Sequence, residues 1–222
     1  MSIENSFLKS LGLEFKAGQE PTLLLTYNQD PSKGPPSLAH LSPKEYVSLS
    51  YISKTQFEDY FRFGFVRNPW ERIVSIYRHF NYHRVMSFHS FLKVEFPKLQ
   101  KERYYFVKPQ IEYLYDENGK LLVDFIGRFE KLKEDFEHIR STMDPALPEL
   151  EYINKSKKKY NVYSRWNLRH IYRILKEKPY LLKVCNPFFN AQRPYKELYT
   201  KEAGQIVASF YQKDIDTFEY EF

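Results

Sequence analysis

Residues 61–80, FRFGFVRNPWERIVSIYRHF, join the pattern of a buried strand to the pattern of an amphipathic helix. Aromatic residues alternate through the first five positions, a period of two that predicts a buried strand from Phe61 to Val66. Asn68 is a suitable N-cap and a proline follows it, so we predict a helix from Pro69 to about Asn81. The strand therefore leads into the helix through a very short turn, and Arg67 stands at the carboxyl end of the strand.

Further helices and a second strand are predicted on both sides of this stretch. Apolar spacing and capping residues indicate helices at 2–12, 43–50, 87–96, 130–143, 165–178 and from residue 200 towards the carboxyl end. A second buried strand is predicted near 121–129, after the turn DENGK, and 178–195 is interpreted as an ordered aromatic loop. Strands separated by helices indicate an α/β layer fold, in which ligands bind beyond the carboxyl ends of the strands.

Composition narrows the classes of protein to consider. The 222 residues are 42% hydrophobic, enough for one substantial core, so we expect a single domain over 1–222. The net charge of +6 comes from 34 Lys and Arg interleaved with 28 Asp and Glu, which fits a nucleotide or a polyanionic surface. This dispersed charge counts against a nucleic-acid-binding module. The single Cys185 excludes an internal disulfide framework, and no apolar run is long enough for a membrane span.

Arg67 and the residues after it suit an anion site. A helix amino terminus offers unpaired N–H groups and a positive dipole end, and a neighbouring arginine adds a bidentate phosphate donor. Ser75 follows Arg67 by eight positions, and Arg72 lies three residues before Ser75 on the same side of the predicted helix. The alternative interpretation is structural, since an arginine in such a turn often forms a surface ion pair and a serine inside a helix often binds nothing.

The segment FGFVRNPWERIVSIY also resembles the 3'-phosphate-binding motif of sulfotransferases that use 3'-phosphoadenosine 5'-phosphosulfate (PAPS), in the form typical of the carbohydrate sulfotransferase (sulfotransferase family 2) branch. The similarity continues through VKPQIEYLYDENGKLLVDFIGRFEKLKEDF, INKSKKKY and RPYKELYTKEAGQIVASFYQKDIDTFEYEF, whereas residues 161–193 resemble an insertion. This resemblance implies a P-loop-nucleotide-hydrolase-like parallel sheet flanked by helices.

The resemblance also assigns roles to individual residues. Arg67 and Ser75 would bind the 3'-phosphate that distinguishes PAPS from ordinary adenine nucleotides. Arg72, which shares the side of the helix with Ser75, is a further candidate for binding PAPS because of that position. AHLSPKEY resembles the family segment that carries a histidine before a helix, so His40 is the candidate base for the acceptor hydroxyl. The alternative for His40 is a hydrogen-bonding or capping role in its loop. No metal is implied.

Other polar residues are candidates for ordering the site, for contacting a ligand or for a purely structural role. Arg128 and Glu130, at the end of GRFE, either order the site or form a structural ion pair. Gln110 is a candidate contact to acceptor or nucleotide. Three histidines lie in or soon after the helix predicted from Pro69: His79, His83 and His89. Their spacing fits neither a metal site nor a catalytic triad.

The resemblance lacks one part at the amino terminus. Ser2, Ile3 and Glu4 match the family's Ser-Ile-Glu, which directly follows its phosphosulfate-binding loop of the form Pro-Lys-x-Gly-x-Thr/Ser. We therefore expect the first strand and that loop to be absent from the chain, through truncation, an internal start or natural loss. Because neighbours of a missing central strand expose backbone groups, we also expect low stability and a tendency to aggregate.

Two functions remain from this sequence. The first is transfer of a sulfonate group from PAPS to a hydroxyl of a carbohydrate acceptor. The alternative is an inactive, truncated remnant that binds adenosine 3',5'-bisphosphate or a sulfated glycan. The low cysteine count and compact length favour a bacterial, cytoplasmic protein, whereas a eukaryotic relative with an upstream anchor would lie in the Golgi lumen.

Overall fold

The computed structural model describes residues 2–13, 26–150, 165–186 and 193–222. This part of the chain has a mixed α/β structure that is mostly helical. Its helices and strands are α1 Ser2–Ser10, α2 Pro43–Ser48, α3 Lys54–Asp59, β1 Phe63–Val66, α4 Pro69–His79, α5 Phe88–Val94, α6 Phe96–Glu102, α7 Tyr104–Val107, α8 Ile111–Leu114, β2 Phe125–Arg128, α9 Leu132–Met143, α10 Arg165–Glu177, α11 Lys201–Phe210 and α12 Gln212–Phe218.

The chain divides into two compact units. The first unit comprises Met1–Arg67 and Gln110–Ser156, and the second comprises Asn68–Pro109 and Lys157–Phe222. The boundary at Arg67 and Asn68 falls inside the RNPWERIVS motif. Arg67 therefore belongs to the first unit, whereas the helix that follows it belongs to the second.

In the first unit, β1 and β2 pair in parallel, as the α/β prediction requires. The register runs from Phe63 opposite Phe125 to Val66 opposite Arg128. Both strands are shorter than predicted, and at the start of the stretch predicted as the second strand Leu121 instead forms a separate bridge with Tyr115 that closes the DENGK turn. In this turn the Asp116 carboxylate accepts from the amides of Asn118 and Lys120.

An ion pair fixes the entry to the sheet. Arg62 Nη2 donates to Asp124 Oδ1 at 2.8 Å, and its Nε donates to Asp124 Oδ2 at 3.0 Å. The backbone N–H of Arg62 donates to the same carboxylate. This pairing precedes both strands and so sets their register from the amino-terminal end.

Aromatic side chains form much of the first unit's interior. The Phe7 ring of α1 stacks on Phe63 of β1 with centroids 6.0 Å apart, and it meets Phe136 of α9 edge-on at 6.2 Å. Gly127 of β2 is required for close packing, since a Cβ there would lie 2.4 Å from the Phe65 ring. The amino-terminal helix predicted at 2–12 is confirmed, and it ends where Gly12 adopts a φ of +70°.

Capping residues explain the short helices that precede β1. Ser42 and Glu45 form the reciprocal capping box expected at the start of α2. Helix α3 is not among the predicted helices, although Ser53 and Gln56 form the same type of capping box at its start. The pattern S-x-x-Q at Ser53–Gln56 therefore indicates the start of this helix in the sequence itself.

In the second unit, α4 packs against α5 and α11 around large buried side chains. Tyr77 of α4 is fully buried, and its hydroxyl donates to the Met86 carbonyl at 2.6 Å. The predicted single carboxyl-terminal helix is instead two helices, α11 and α12, because the chain bends at Tyr211. Tyr211 is also fully buried, and its hydroxyl donates to the Val107 carbonyl at 2.7 Å.

The region predicted as an insertion is described in part. The helix predicted at 165–178 is confirmed as α10. A 3₁₀ helix, Pro179–Val184, follows it within 178–195, the stretch for which the sequence predicts an ordered aromatic loop. Residues 151–164 and 187–192, which include INKSKKKY, lie outside the described residues.

Candidate functional site

Arg67 follows β1 directly, and its backbone is held by a side chain from a distant part of the sequence. The Arg67 N–H donates to Gln110 Oε1 at 2.8 Å, and Gln110 Nε2 donates to the Arg67 carbonyl at 2.8 Å. Gln110 is 8% exposed, so these two hydrogen bonds are well protected from water. Gln110, predicted as a possible ligand contact, therefore positions the Arg67 backbone.

The guanidinium of Arg67 lies over an aromatic ring. Its Cζ atom is 4.2 Å from the centroid of Phe129, which follows β2 in the sequence. Arg67 is half-buried, and Phe129 is 44% exposed. A cation–π contact of this kind orients the planar fork of donors without using its N–H groups. The contact with Phe129 therefore restricts where the Arg67 guanidinium lies.

The carboxyl ends of the two parallel strands meet at one edge of the sheet. Val66 pairs with Arg128 in the register, so Arg67 and Phe129 follow at the same edge. The amide of Arg128 donates to the Asp135 carboxylate in the first turn of α9. This edge carries two arginines, and it is the position where open α/β sheets bind ligands.

The amino terminus of α4, in the second unit, differs from the sequence prediction. Asn68 Oδ1 accepts from the backbone N–H groups of Trp70 at 3.1 Å and Glu71 at 3.3 Å. Pro69 has no N–H to offer. The expectation that these first amides are available for an anion is therefore wrong, because the same asparagine that starts the helix already satisfies them. A phosphate bound here has to be held mainly by side chains.

Arg72 and Ser75 lie on α4 and are half-buried. Arg72 Nη1 donates to the Lys108 carbonyl at 2.9 Å, and Nη2 donates to the Phe106 carbonyl at 3.3 Å. Its guanidinium also lies 5.6 Å from the ring centroid of Tyr211. Arg72 therefore links α4 to the end of α7, in addition to the positive charge that it contributes near Ser75.

His40 is the last residue of a 3₁₀ helix, Leu38–His40, in the first unit. It is half-exposed, and its backbone N–H donates to the Ser37 carbonyl at 3.1 Å. The next residue, Leu41, is buried, and Ser42 caps α2. The backbone of His40 is thus held between two short helical turns.

The three other histidines near α4 have separate environments. His79 is exposed, and His89 Nε2 lies 3.5 Å from the carboxylate of Glu202. His83 is buried, and burial together with Arg84 and Arg78 lowers its pKa to about 4. In the ranges that the structure describes, no three His, Cys, Asp or Glu side chains are grouped as metal ligands would be.

With this geometry in place, comparison with known proteins identifies the family. The model of the Sulfotransferase family matches residues 22–221. The chain belongs to the sulfotransferase family. An uncharacterized protein of Archaeoglobus fulgidus is 32% identical to this sulfotransferase over 108 residues, which are 44% of the chain and 78% of that relative. No solved structure gives a significant match to this sulfotransferase.

One further finding bears on how this sulfotransferase relates to a membrane. Among the helices in the described ranges, none is both long and apolar enough to cross a bilayer.

The sulfotransferase also has a buried charged cluster that sequence analysis missed. Glu95, fully buried where α5 meets α6, accepts from Tyr82 at 2.5 Å, Lys178 at 2.5 Å and Tyr180 at 2.6 Å. Burial alone would raise the pKa of Glu95, but the hydrogen bonds from these three residues lower it overall. The cluster therefore holds a charged carboxylate, and it ties α6 to the turn after α10.

Proposed function

We propose that this sulfotransferase transfers a sulfonate group from PAPS to a hydroxyl of a carbohydrate. The observation that carries the proposal is the motif FGFVRNPWERIVSIY, together with the local geometry around Arg67. The family match spans residues 22–221, which supports one sulfotransferase domain that includes both compact units. In this proposal β1 and β2 belong to a P-loop-like parallel sheet.

Arg67 and Ser75 are the proposed ligands of the 3'-phosphate of the donor. What supports Arg67 is that Gln110 fixes its backbone at the end of β1, that Phe129 holds its guanidinium, and that an arginine is a bidentate phosphate donor. Ser75 adds a hydroxyl donor from the second turn of α4. Side-chain donors fit the finding that Asn68 already occupies the first amides of this helix. Arg72 contributes positive charge on the same helix.

His40 is the proposed general base. In the proposed reaction the acceptor oxygen bonds to the sulfur, the bond from sulfur to the nucleotide oxygen breaks, and adenosine 3',5'-bisphosphate leaves. The proton of the acceptor hydroxyl passes to the imidazole of His40. The half-exposed position of His40 suits this role, because a sugar hydroxyl has to approach it from solvent.

The test measures transfer with sulfur-labelled PAPS and a panel of neutral and acidic oligosaccharides. We expect label on at least one oligosaccharide, and loss of that label in Arg67→Ala and in His40→Ala. His138→Ala is the matched control, since His138 is an exposed histidine on α9 of the same unit. A folded chain that binds adenosine 3',5'-bisphosphate but labels no acceptor would contradict transfer and support a binding-only protein.

A further inference from the structure

The helix α10 presents an unusual solvent-exposed face. We define the α10 face by five exposed residues of this helix: Leu168, Arg169, Tyr172, Arg173 and Lys176. The opposite side of α10 is anchored, because Asn167, Ile171 and Ile174 are all buried. The α10 face is thus the outer half of a helix that is fixed to the second unit.

Apolar side chains on this face are open to water. Leu168 is 52% exposed and Tyr172 is 68% exposed, and their spacing of four residues places them side by side along the helix. Leu182, a few residues after the helix ends, is 63% exposed. Single exposed apolar residues are normal in proteins, but a group of them on one short segment indicates a binding surface.

Cations accompany these apolar residues. Arg169 and Arg173 also follow a spacing of four, and they are exposed together with Lys176. Residues 167–186 contain five Lys or Arg and a single acidic residue, so this short stretch has a net charge of +4 in a chain whose total is +6. Lys178 of this group turns inward to Glu95, and the other four cations are exposed.

We propose that the α10 face binds the surface of an anionic lipid bilayer. Cations attract the headgroups, while exposed Leu and Tyr side chains enter the boundary between headgroups and acyl chains, where aromatic residues are favoured. A soluble polyanion would need only the cations and would leave Leu168 and Tyr172 in water. The combination of both types of residue on one face therefore favours a membrane.

The Glu95 cluster, which consists of Glu95, Tyr82, Lys178 and Tyr180, holds the segment that follows α10 in place. Lys178 and Tyr180 both bond to the buried Glu95 carboxylate, so the chain is anchored between the end of α10 and Leu182. The apolar and cationic side chains are thus presented on a fixed backbone. Binding then requires little ordering of the protein, which reduces the entropic penalty of association.

The test is sedimentation of the full chain with vesicles of phosphatidylcholine that contain phosphatidylglycerol, compared with vesicles of phosphatidylcholine alone. We expect binding to the anionic vesicles only. The double variant Arg169→Gln/Arg173→Gln should bind roughly thirty-fold more weakly, the factor that corresponds to about 1 kcal/mol for each cation near an anionic surface. The double variant Leu168→Gln/Tyr172→Gln should also bind at least several-fold more weakly, because it removes the inserting side chains.

Matched controls remove the same groups elsewhere. Lys101→Gln/Lys133→Gln removes two exposed cations from α6 and α9, and Met143→Gln removes an exposed apolar side chain from the end of α9. Both controls should bind like the natural chain. Equal sedimentation with both types of vesicle, or with neither, would overturn the proposal. So would binding that depends on the arginines but not on Leu168 and Tyr172, since that pattern shows charge attraction alone, without insertion of the apolar side chains into the bilayer.

Discussion

Two groups of polar residues, one in each compact unit, hold different parts of the chain in place. At the sheet edge of the first unit, Gln110 satisfies the backbone of Arg67, and the guanidinium lies over Phe129, which is well exposed. In the second unit, the polar groups of the Glu95 cluster bond to one another inside the protein. The two groups therefore differ in what their hydrogen bonds hold: at the sheet edge Gln110 holds a backbone, whereas in the Glu95 cluster the side chains hold one another.

The largest expected effect is that of Lys178→Met, which removes the cation of the Glu95 cluster. Glu95 would then be buried without its cation, so we expect the free energy of unfolding to fall by about 3–5 kcal/mol. Urea denaturation at neutral pH measures this change. Lys176→Met, two residues earlier on an exposed position, should change stability by less than about 0.5 kcal/mol. Equal effects of the two variants would mean that the cluster is not a stability element.

A second prediction concerns pH and the interior of the same unit. Burial lowers the pKa of His83 to about 4 from an ordinary value of 6.5, so between these values the unfolded chain binds more protons than the folded one. We expect unfolding free energy to fall by about 2–3 kcal/mol between pH 7 and pH 4 from this residue.

Urea denaturation at several pH values checks the His83 prediction. The variant His83→Gln should have a flatter pH profile over this range. His138→Gln, which removes an exposed histidine, should retain the slope of the natural chain. An unchanged slope in His83→Gln would assign the acid sensitivity to other groups.

The third prediction tests the first unit. Gln110→Leu keeps the approximate size of the side chain but removes both hydrogen bonds to the Arg67 backbone. We expect a loss of stability of about 1–3 kcal/mol and a weaker affinity for adenosine 3',5'-bisphosphate, because Arg67 is no longer fixed. Chemical denaturation and titration calorimetry measure the two effects. The control Gln205→Leu lies at an exposed position of α11 and should preserve both quantities.

The smallest expected effect comes from Phe129→Leu. Loss of the cation–π contact with Arg67 should weaken nucleotide binding by about two- to five-fold, which corresponds to about 0.5–1 kcal/mol. Phe57→Leu is the matched control, since the Phe57 ring lies 5.0 Å from the guanidinium carbon of Arg62 in the same unit. A loss of affinity in Phe57→Leu as large as that in Phe129→Leu would show that the effect is not specific to Arg67.

Local signals in the sequence predicted many of the helices and both strands. Asn68 and Ser42 were recognisable as helix caps, and alternating aromatics marked β1. The same local pattern also argues against free amides at the amino terminus of α4, because the side chain of an asparagine that caps a helix accepts from the first amides of that helix. The sequence predicts one carboxyl-terminal helix where the structure has α11 and α12, since only the burial of Tyr211 identifies the break between them.

Contacts between distant parts of the sequence could not be predicted in this way. Gln110 is 43 residues from Arg67, and Lys178 is 83 residues from Glu95. No periodicity links such positions, and an isolated glutamate between apolar residues is as consistent with a helix surface as with a buried charge. The candidate ligands came from the motif itself, whereas the residues that position them required the structure.

Titration calorimetry with adenosine 3',5'-bisphosphate tests the proposed 3'-phosphate site, with 5'-ADP as the nucleotide that lacks the 3'-phosphate. We expect selective binding of the bisphosphate, and a loss of affinity of about ten- to a hundred-fold in Arg67→Ala and in Ser75→Ala, as for hydrogen bonds to a charged group. Thermal melting of each variant verifies that it is folded. Equal affinity for the two nucleotides, or full affinity in a folded Arg67→Ala variant, would contradict a 3'-phosphate site at this motif.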